Sequence, residues 1–155
     1  MKSLGTEAYS GCVKLNKVTI ASPDLKVGED AFTGVPDTAT FKYAFKGDAA
    51  VIKLGTQLLS ESSDFVSKAG LKYEILDPEV NLVLLTGSTD KDIKKLTVPD
   101  TVVYRGAKLR VLSVEDGAFA YHKKLAKVVI GKEVYEIHLC KELNTDDNAN
   151  VIRYV

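Results

Sequence analysis

Leu15-Asn16-Lys17-Val18-Thr19-Ile20 reads L-x-x-V-x-I, and Leu125-Ala126-Lys127-Val128-Val129-Ile130 repeats it. Ile93-Lys94-Lys95-Leu96-Thr97-Val98 is a conservative third copy, followed by Pro99. Each copy ends in apolar–polar alternation, the period of a short strand with one buried face. A second unit is Gly28-Glu29-Asp30-Ala31-Phe32-Thr33-Gly34. It recurs as Gly5-Thr6-Glu7-Ala8-Tyr9-Ser10-Gly11 and as Val114-Glu115-Asp116-Gly117-Ala118-Phe119. Ala8 and Ala31 are 23 residues apart, and the step from Ala8 to Leu15 equals that from Ala118 to Leu125 at seven. Two unit types at one shared offset define a repeat. Gly-x-x-Ala-Phe is a tight turn whose small residue admits a neighbouring coil and whose aromatic fills the space between. One such coil cannot bury its own apolar edge, so the expectation is a stack of coils.

These residues resemble the BspA-type leucine-rich repeat of bacterial surface and secreted proteins. Residues 4–20 match one turn and strand, including Gly11-Cys12. Residues 15–32 match almost a full unit, with Val27-Gly28 and Ala31-Phe32 in place. Ile93 to Val98 with Pro99, then residues 114–137, supply the rest. The resemblance implies a mainly β fold with minor α content: a leucine-rich-repeat solenoid with two β-hairpins and one short helix. Residues 1–70 read as the end of one array with its closing helix. Residues 71–155 read as a second segment that opens with hairpins.

The intervening stretches fit this plan. Residues 39–45 alternate and predict a strand. Residues 58–69 place Leu58, Leu59, Phe65, Val66 and Ala69 on one helical side, with serines near the start as caps and Gly70 just past the end. Lys72-Tyr73-Glu74-Ile75 and residues 80–85 predict a hairpin around Asp77-Pro78-Glu79. Thr101 to Tyr104 and Lys108 to Val114 predict a second through Arg105-Gly106. After Val134-Tyr135-Glu136-Ile137 the expected Gly-x-x-Ala-Phe is replaced by His138-Leu139-Cys140. Lys2 to Tyr9 is the continuation that Ile137 lacks. Either the N-terminal coil of one molecule stacks on the C-terminal coil of another, a heterologous head-to-tail contact, or residues 138–155 fold over the open end as a cap.

Composition narrows the function. The 155 residues are 45% hydrophobic and 27% charged, a globular composition. Lys+Arg and Asp+Glu each number 21, and the halves balance too: eight of each sign in 1–70 and thirteen of each in 71–155. Nucleic-acid binding needs clustered positive charge, so no nucleic-acid partner is expected. No apolar run is long enough for membrane insertion. Met1-Lys2-Ser3-Leu4-Gly5 is no signal peptide, which points to a cytoplasmic protein or to a piece of a longer exported chain; the repeats favour the second.

The chemistry-bearing residues are few. Cys12 and Cys140 form no C-x-x-C pair and read as two small apolar core side chains, with a bridge between them left open in an oxidising compartment. His122, in Tyr121-His122-Lys123-Lys124, reads as exposed. His138 and Cys140 give two soft ligands where zinc needs three or four, so no metal is expected. Asp146, Asn148 and Asn150 fit the first positions of a calcium loop, but Val151 stands where Gly is required, and the stretch reads as a solvated loop. Glu29-Asp30, Glu115-Asp116, Lys94-Lys95 and Lys123-Lys124 read as solvent-facing. There is no G-x-S-x-G elbow, no G-x-G-x-x-G and no phosphate loop, so neither an enzyme nor a cofactor is expected. Tyr9, Tyr43, Tyr73, Tyr104, Tyr121, Tyr135 and Tyr154 include candidates for a contact patch; the absence of Trp makes carbohydrate a secondary partner. The expected function is a non-enzymatic protein-binding or adhesion module of a bacterial cell-surface or secreted protein, contacting a host or bacterial macromolecule. The alternatives are a structural spacer, a head-to-tail assembly module, or an accessory domain of a larger extracellular enzyme.

Overall fold

The alternating stretches all become strands. The computed structural model describes residues 2–60 and 63–134, with the strand backbones at 136–137 and 152–154. In chain order the elements are β1 (Lys17–Ile20), β2 (Thr40–Tyr43), α1 (Asp48–Leu59), β3 (Asp64–Val66), β4 (Leu71–Asp77), β5 (Leu82–Ser88), β6 (Lys95–Val98), β7 (Thr101–Tyr104), β8 (Ala107–Val114), β9 (Lys127–Ile130), β10 (Glu136–Ile137) and β11 (Ile152–Tyr154). The three L-x-x-V-x-I copies are β1, β6 and β9, each burying its last residue: Ile20, Val98 and Ile130.

The chain is mainly β, but it is not the leucine-rich-repeat solenoid that the repeats imply. Its largest sheet has six strands and curls into a half-barrel, in the order β10-β8-β5-β4-β3 with β7 also on β8. Two small parallel sheets stand apart from it, β1-β2 and β11-β9-β6. The reason lies in residues 71–114. A solenoid needs each coil to advance parallel to the last. Here β4 turns back onto β5 and β7 onto β8 in antiparallel pairs, and their long inward faces demand a sheet of their own. β8 alternates strictly, with Ala107, Leu109 and Val111 buried and Lys108 and Arg110 exposed. Both hairpins fall where the turn signals put them. Arg105 and Gly106 have φ of 49° and 76°, the pair of positive values that a tight two-residue hairpin requires.

The helix is also displaced. It spans Asp48–Leu59 rather than 58–69, and Phe65 and Val66 lie in β3. Val51, Leu54, Gly55 and Leu58 follow helical spacing, and Leu54, Gly55, Leu58 and Leu59 are its buried face. The serines taken for caps follow the helix instead of preceding it. The true start is marked only by Gly47, whose place before the helix carries no capping side chain. Gly70, at φ 79°, serves the turn between β3 and β4.

Two apolar clusters result. One gathers Ile20, Leu25, Phe32, Phe41, Leu54 and Leu58 under β1, β2 and the helix. The other fills the curled sheet with Phe65, Tyr73, Val83, Leu85, Leu109 and Val111. Phe65 stacks between Tyr73 and Tyr104, with ring centroids 5.3 and 4.1 Å away. The β7–β8 hairpin tip joins the clusters. Arg105, 5% exposed, donates from Nη1 to the Leu58 carbonyl and from Nη2 to the Phe32 carbonyl, both at 3.0 Å. Tyr43 donates its hydroxyl to the Arg105 carbonyl at 3.2 Å. Asp37 adds a second tie, accepting from the Val66 N–H at 2.9 Å and the Tyr104 hydroxyl at 3.4 Å.

Candidate functional site

The Gly-x-x-Ala-aromatic units form three turns of one conformation. The residue before Ala has positive φ in each: 54° at Glu7, 53° at Asp30 and 74° at Gly117. Three residues after Ala it is positive again: 73° at Gly11, 80° at Gly34 and 69° at Tyr121. Each unit closes on itself through an amide of the Ala or its neighbour, as in Ala8 N–H to the Gly5 carbonyl and Ala31 N–H to the Gly28 carbonyl, both 3.3 Å.

The first turn lies directly on the second. Glu7, Tyr9 and Gly11 donate their N–H groups to the carbonyls of Glu29, Ala31 and Thr33 at 2.9, 2.7 and 2.8 Å. Their backbones are so close that a Cβ on Gly28 would sit 2.6 Å from the Gly5 carbonyl carbon. The Tyr9 ring stacks on Phe32 at 5.5 Å.

The first turn itself is covered by nothing among the described residues. Thr6, Ala8 and Ser10 occupy the places of Glu29, Ala31 and Thr33, yet among the described residues their carbonyls accept no main-chain hydrogen bond. Nothing lies within 4 Å of where a Gly5 Cβ would be. Positions that form core elsewhere are bare here. Phe32 and Phe119 are 1% and 2% exposed, but Tyr9 is 41%. Ala31 is sealed, while Ala8 is exposed. Val35 and His122 are buried, while their counterpart Cys12 is exposed. Val13 beside it is 68% exposed. β1 shares the opening: among the described residues it pairs only with β2, on one edge. A groove of about 600 Å³ runs along this end, lined by Leu4, Tyr9, Leu15, Val18, Ile20 and Phe32.

A second groove, of about 500 Å³, lies between the clusters beside Asp37, Phe41, Tyr73 and Val102. The Tyr73 hydroxyl is buried and has no partner among the described residues; burial pushes its pKa well up. Burial likewise pushes the Tyr43 hydroxyl up to about 12. The groups that could activate them are already engaged: Asp37 accepts its two hydrogen bonds and Lys68 donates to the Thr40 hydroxyl at 3.3 Å.

Two sequence expectations are corrected here. Cys12 is not a core side chain but exposed, because no described residue covers the first turn. His122 is not exposed; it takes the buried place of Val35, edge-on to Phe119 at 5.3 Å, with Nδ1 3.3 Å from the Ala120 carbonyl. The paired charges face solvent, as in the 3.1 Å ion pair of Lys124 with Asp92, more than half exposed on both sides. Among the tyrosines, Tyr73 and Tyr104 are buried and Tyr121 is 80% exposed. His138, Cys140, the Asp146 to Asn150 stretch and the side chains of Tyr135 and Tyr154 lie outside the described residues.

No group of three or more His, Cys, Asp or Glu side chains placed to hold a metal occurs among the described residues. None of the described helices is long and apolar enough to cross a membrane. No protein family, curated protein or solved structure matches the chain.

Proposed function

We propose that the chain is a non-enzymatic protein-binding module and that it binds through the open end formed by the first turn and β1. One observation carries this reading: at that end Ala8, Tyr9 and Cys12 are exposed although their counterparts are core. A contiguous apolar patch bordered by unfilled main-chain acceptors and an open strand edge is a surface for protein, since strand addition supplies hydrogen bonds and the groove supplies side-chain selectivity. The likeness of the turns to the units of bacterial surface proteins supports placing that binding at the cell surface or outside the cell, in adhesion. Sugar is a poorer occupant: the wall of the groove is mostly aliphatic, and its aromatic rings are stacked on one another.

The test is a binding panel. Purified bacterial surface and host extracellular proteins are passed over the immobilised chain and over a Tyr9→Lys, Val13→Lys variant of equal melting temperature. Binding that the variant loses supports the reading. Binding that the variant retains moves the function to another face and overturns it.

A further inference from the structure

We propose that the open edge of β7 is a second docking site, which takes an extended, acidic peptide segment of another protein as one more strand. It lies along the second groove, apart from the first turn and β1, and does not depend on how that end is read.

The main-chain pattern of the hairpin carries it. Arg105-Gly106 closes the hairpin on the pair Tyr104 and Ala107, and at its other end the Val111 N–H donates to the Asp100 carbonyl at 2.9 Å. Main-chain groups alternate between the two edges of an antiparallel strand. Val102 and Tyr104 therefore address β8, and the N–H and C=O groups of Thr101 and Val103 point away from it. Among the described residues β7 pairs only with β8, and no other main-chain hydrogen bond reaches Thr101 or Val103. Val103 is 67% exposed. Donors and acceptors repeated two residues apart along an open edge match an extended strand. The edge is also held ready. The Arg105 bonds to the Leu58 and Phe32 carbonyls and the Tyr43 hydroxyl on the Arg105 carbonyl fasten the hairpin tip, so docking orders little of this chain.

Side chains set the chemistry of the occupant. On the exposed face Thr101 stands opposite Arg110 and Val103 opposite Lys108. Lys68, also exposed, lines the groove. None of these three cations has an ion-pair partner among the described residues. The nearby carboxylates are occupied: Asp37 accepts from the Val66 N–H and the Tyr104 hydroxyl, and Asp100 from the Glu133 N–H at 2.7 Å. An incoming strand alternates its side chains between two faces. One set comes beside Val103 within reach of Lys108 and Arg110, which suits glutamate or aspartate. The other set meets the apolar lining that includes Phe41, Leu71 and Val102. The fitting segment thus alternates acidic and apolar residues.

The experiment is fluorescence anisotropy on the full chain with a labelled short peptide of alternating valine and glutamate. A four-residue edge makes a small contact, so the Kd should be roughly 0.1–1 mM at low salt. A peptide alternating valine and lysine, or the first peptide methylated on its backbone nitrogens, should bind roughly tenfold more weakly or worse. Val103→Pro removes the outward N–H and none of the bonds to β8, and it should weaken binding by about the same factor. Val103→Ala keeps that N–H and should stay within roughly threefold of wild type. Lys108→Glu with Arg110→Glu should again cost roughly tenfold or more. Each variant is compared at equal melting temperature. A Kd above roughly 5 mM overturns the proposal. So does binding that Val103→Pro and backbone methylation leave unchanged, or that does not discriminate glutamate from lysine. Binding lost in the Tyr9→Lys, Val13→Lys variant overturns it too, because the peptide then sits at the first turn.

Discussion

Replacing Arg105 with Met keeps most of the apolar stem and removes the guanidinium. The hydrogen bonds to the carbonyls of Leu58 and Phe32, at 3.0 Å each, are lost. Charge-assisted bonds contribute about 1.5–3 kcal/mol apiece. Leu58 lies in the last turn of α1, which carries no basic side chain of its own, so the positive charge opposite the helix C-terminus is also lost, roughly 0.3–1 kcal/mol. Relief from desolvating a buried cation acts the other way and offsets part of the sum. The net expectation is a loss of about 2–4 kcal/mol, since each carbonyl loses a buried charged donor. For a chain of this length that is a fall in Tm of roughly 4–16 °C. Urea unfolding followed by far-ultraviolet circular dichroism measures it, with the slope in urea checked for constancy. Arg105→Lys should recover less than half, because one ammonium cannot address two divergent carbonyls as a planar fork does. A Met variant within about 0.5 kcal/mol of wild type would refute the idea that this side chain fastens the two clusters together.

Gly28→Ala should cost about 1–3 kcal/mol in urea unfolding, because its Cβ meets backbone rather than a flexible side chain, while Gly5→Ala at the equivalent place should stay within about 0.5 kcal/mol. Phenol ionisation followed by ultraviolet absorbance should show Tyr43 titrating near 12 and Tyr73 later still in the folded chain. Both folded values are raised, so the neutral forms are favoured on folding. Their contribution is full below the ordinary phenol value of about 10 and is lost as pH rises through the shifted ones. Tyr43→Phe and Tyr73→Phe should each flatten part of the alkaline loss. Cys12 should react with a thiol reagent in the native protein at close to the rate of a free peptide thiol, because it is exposed; protection would mean that another surface covers the first turn.

The strands were legible and their assembly was not. Short alternating runs such as residues 95–98 and 127–130 carry their period in the sequence, and Arg105-Gly106 marks a hairpin by the positive φ it must adopt. The repeat offset of 23 residues correctly brings Gly5 onto Gly28. What a local pattern cannot show is that β5 and β8 each present a longer buried face than any repeat strand does. That surplus of apolar surface draws β4, β5, β7 and β8 into one curled sheet, where Leu109 and Val111 are sealed, and leaves β6 to pair with β9. The helix was misplaced because its end is rich in serine and its start is bare. His122 was read from its charged neighbours Lys123 and Lys124, whereas its burial follows from repeat position, four residues after Ala118. That same position could have singled out Cys12 as a core side chain without a cover.

The open end and the Arg105 plug are two answers to one problem. Each turn of the repeat leaves an apolar face and a row of carbonyls that need donors wherever they are buried. The second turn resolves this twice: the first turn takes the carbonyls of Glu29, Ala31 and Thr33, and Arg105 reaches the Phe32 carbonyl between them. A charged side chain can stop a stack because it brings several donors on one rigid fork, at the cost of burying a cation. Among the described residues the first turn has no such plug. Its carbonyls at Thr6, Ala8 and Ser10 accept no main-chain hydrogen bond among the described residues; water can satisfy an exposed carbonyl, so leaving them open costs little in hydrogen bonding. The exposed ring of Tyr9 and the side chains of Val13 and Cys12 are what make the end unfavourable in water. Covering it therefore gains mainly apolar burial, and the carbonyl row then fixes the direction and register of whatever covers it. A partner without strand geometry would bury the same apolar atoms but strand the carbonyls, losing about 1–3 kcal/mol for each one desolvated. Backbone conformation thus decides which segments can dock at this end, and the groove then discriminates among them by side chain.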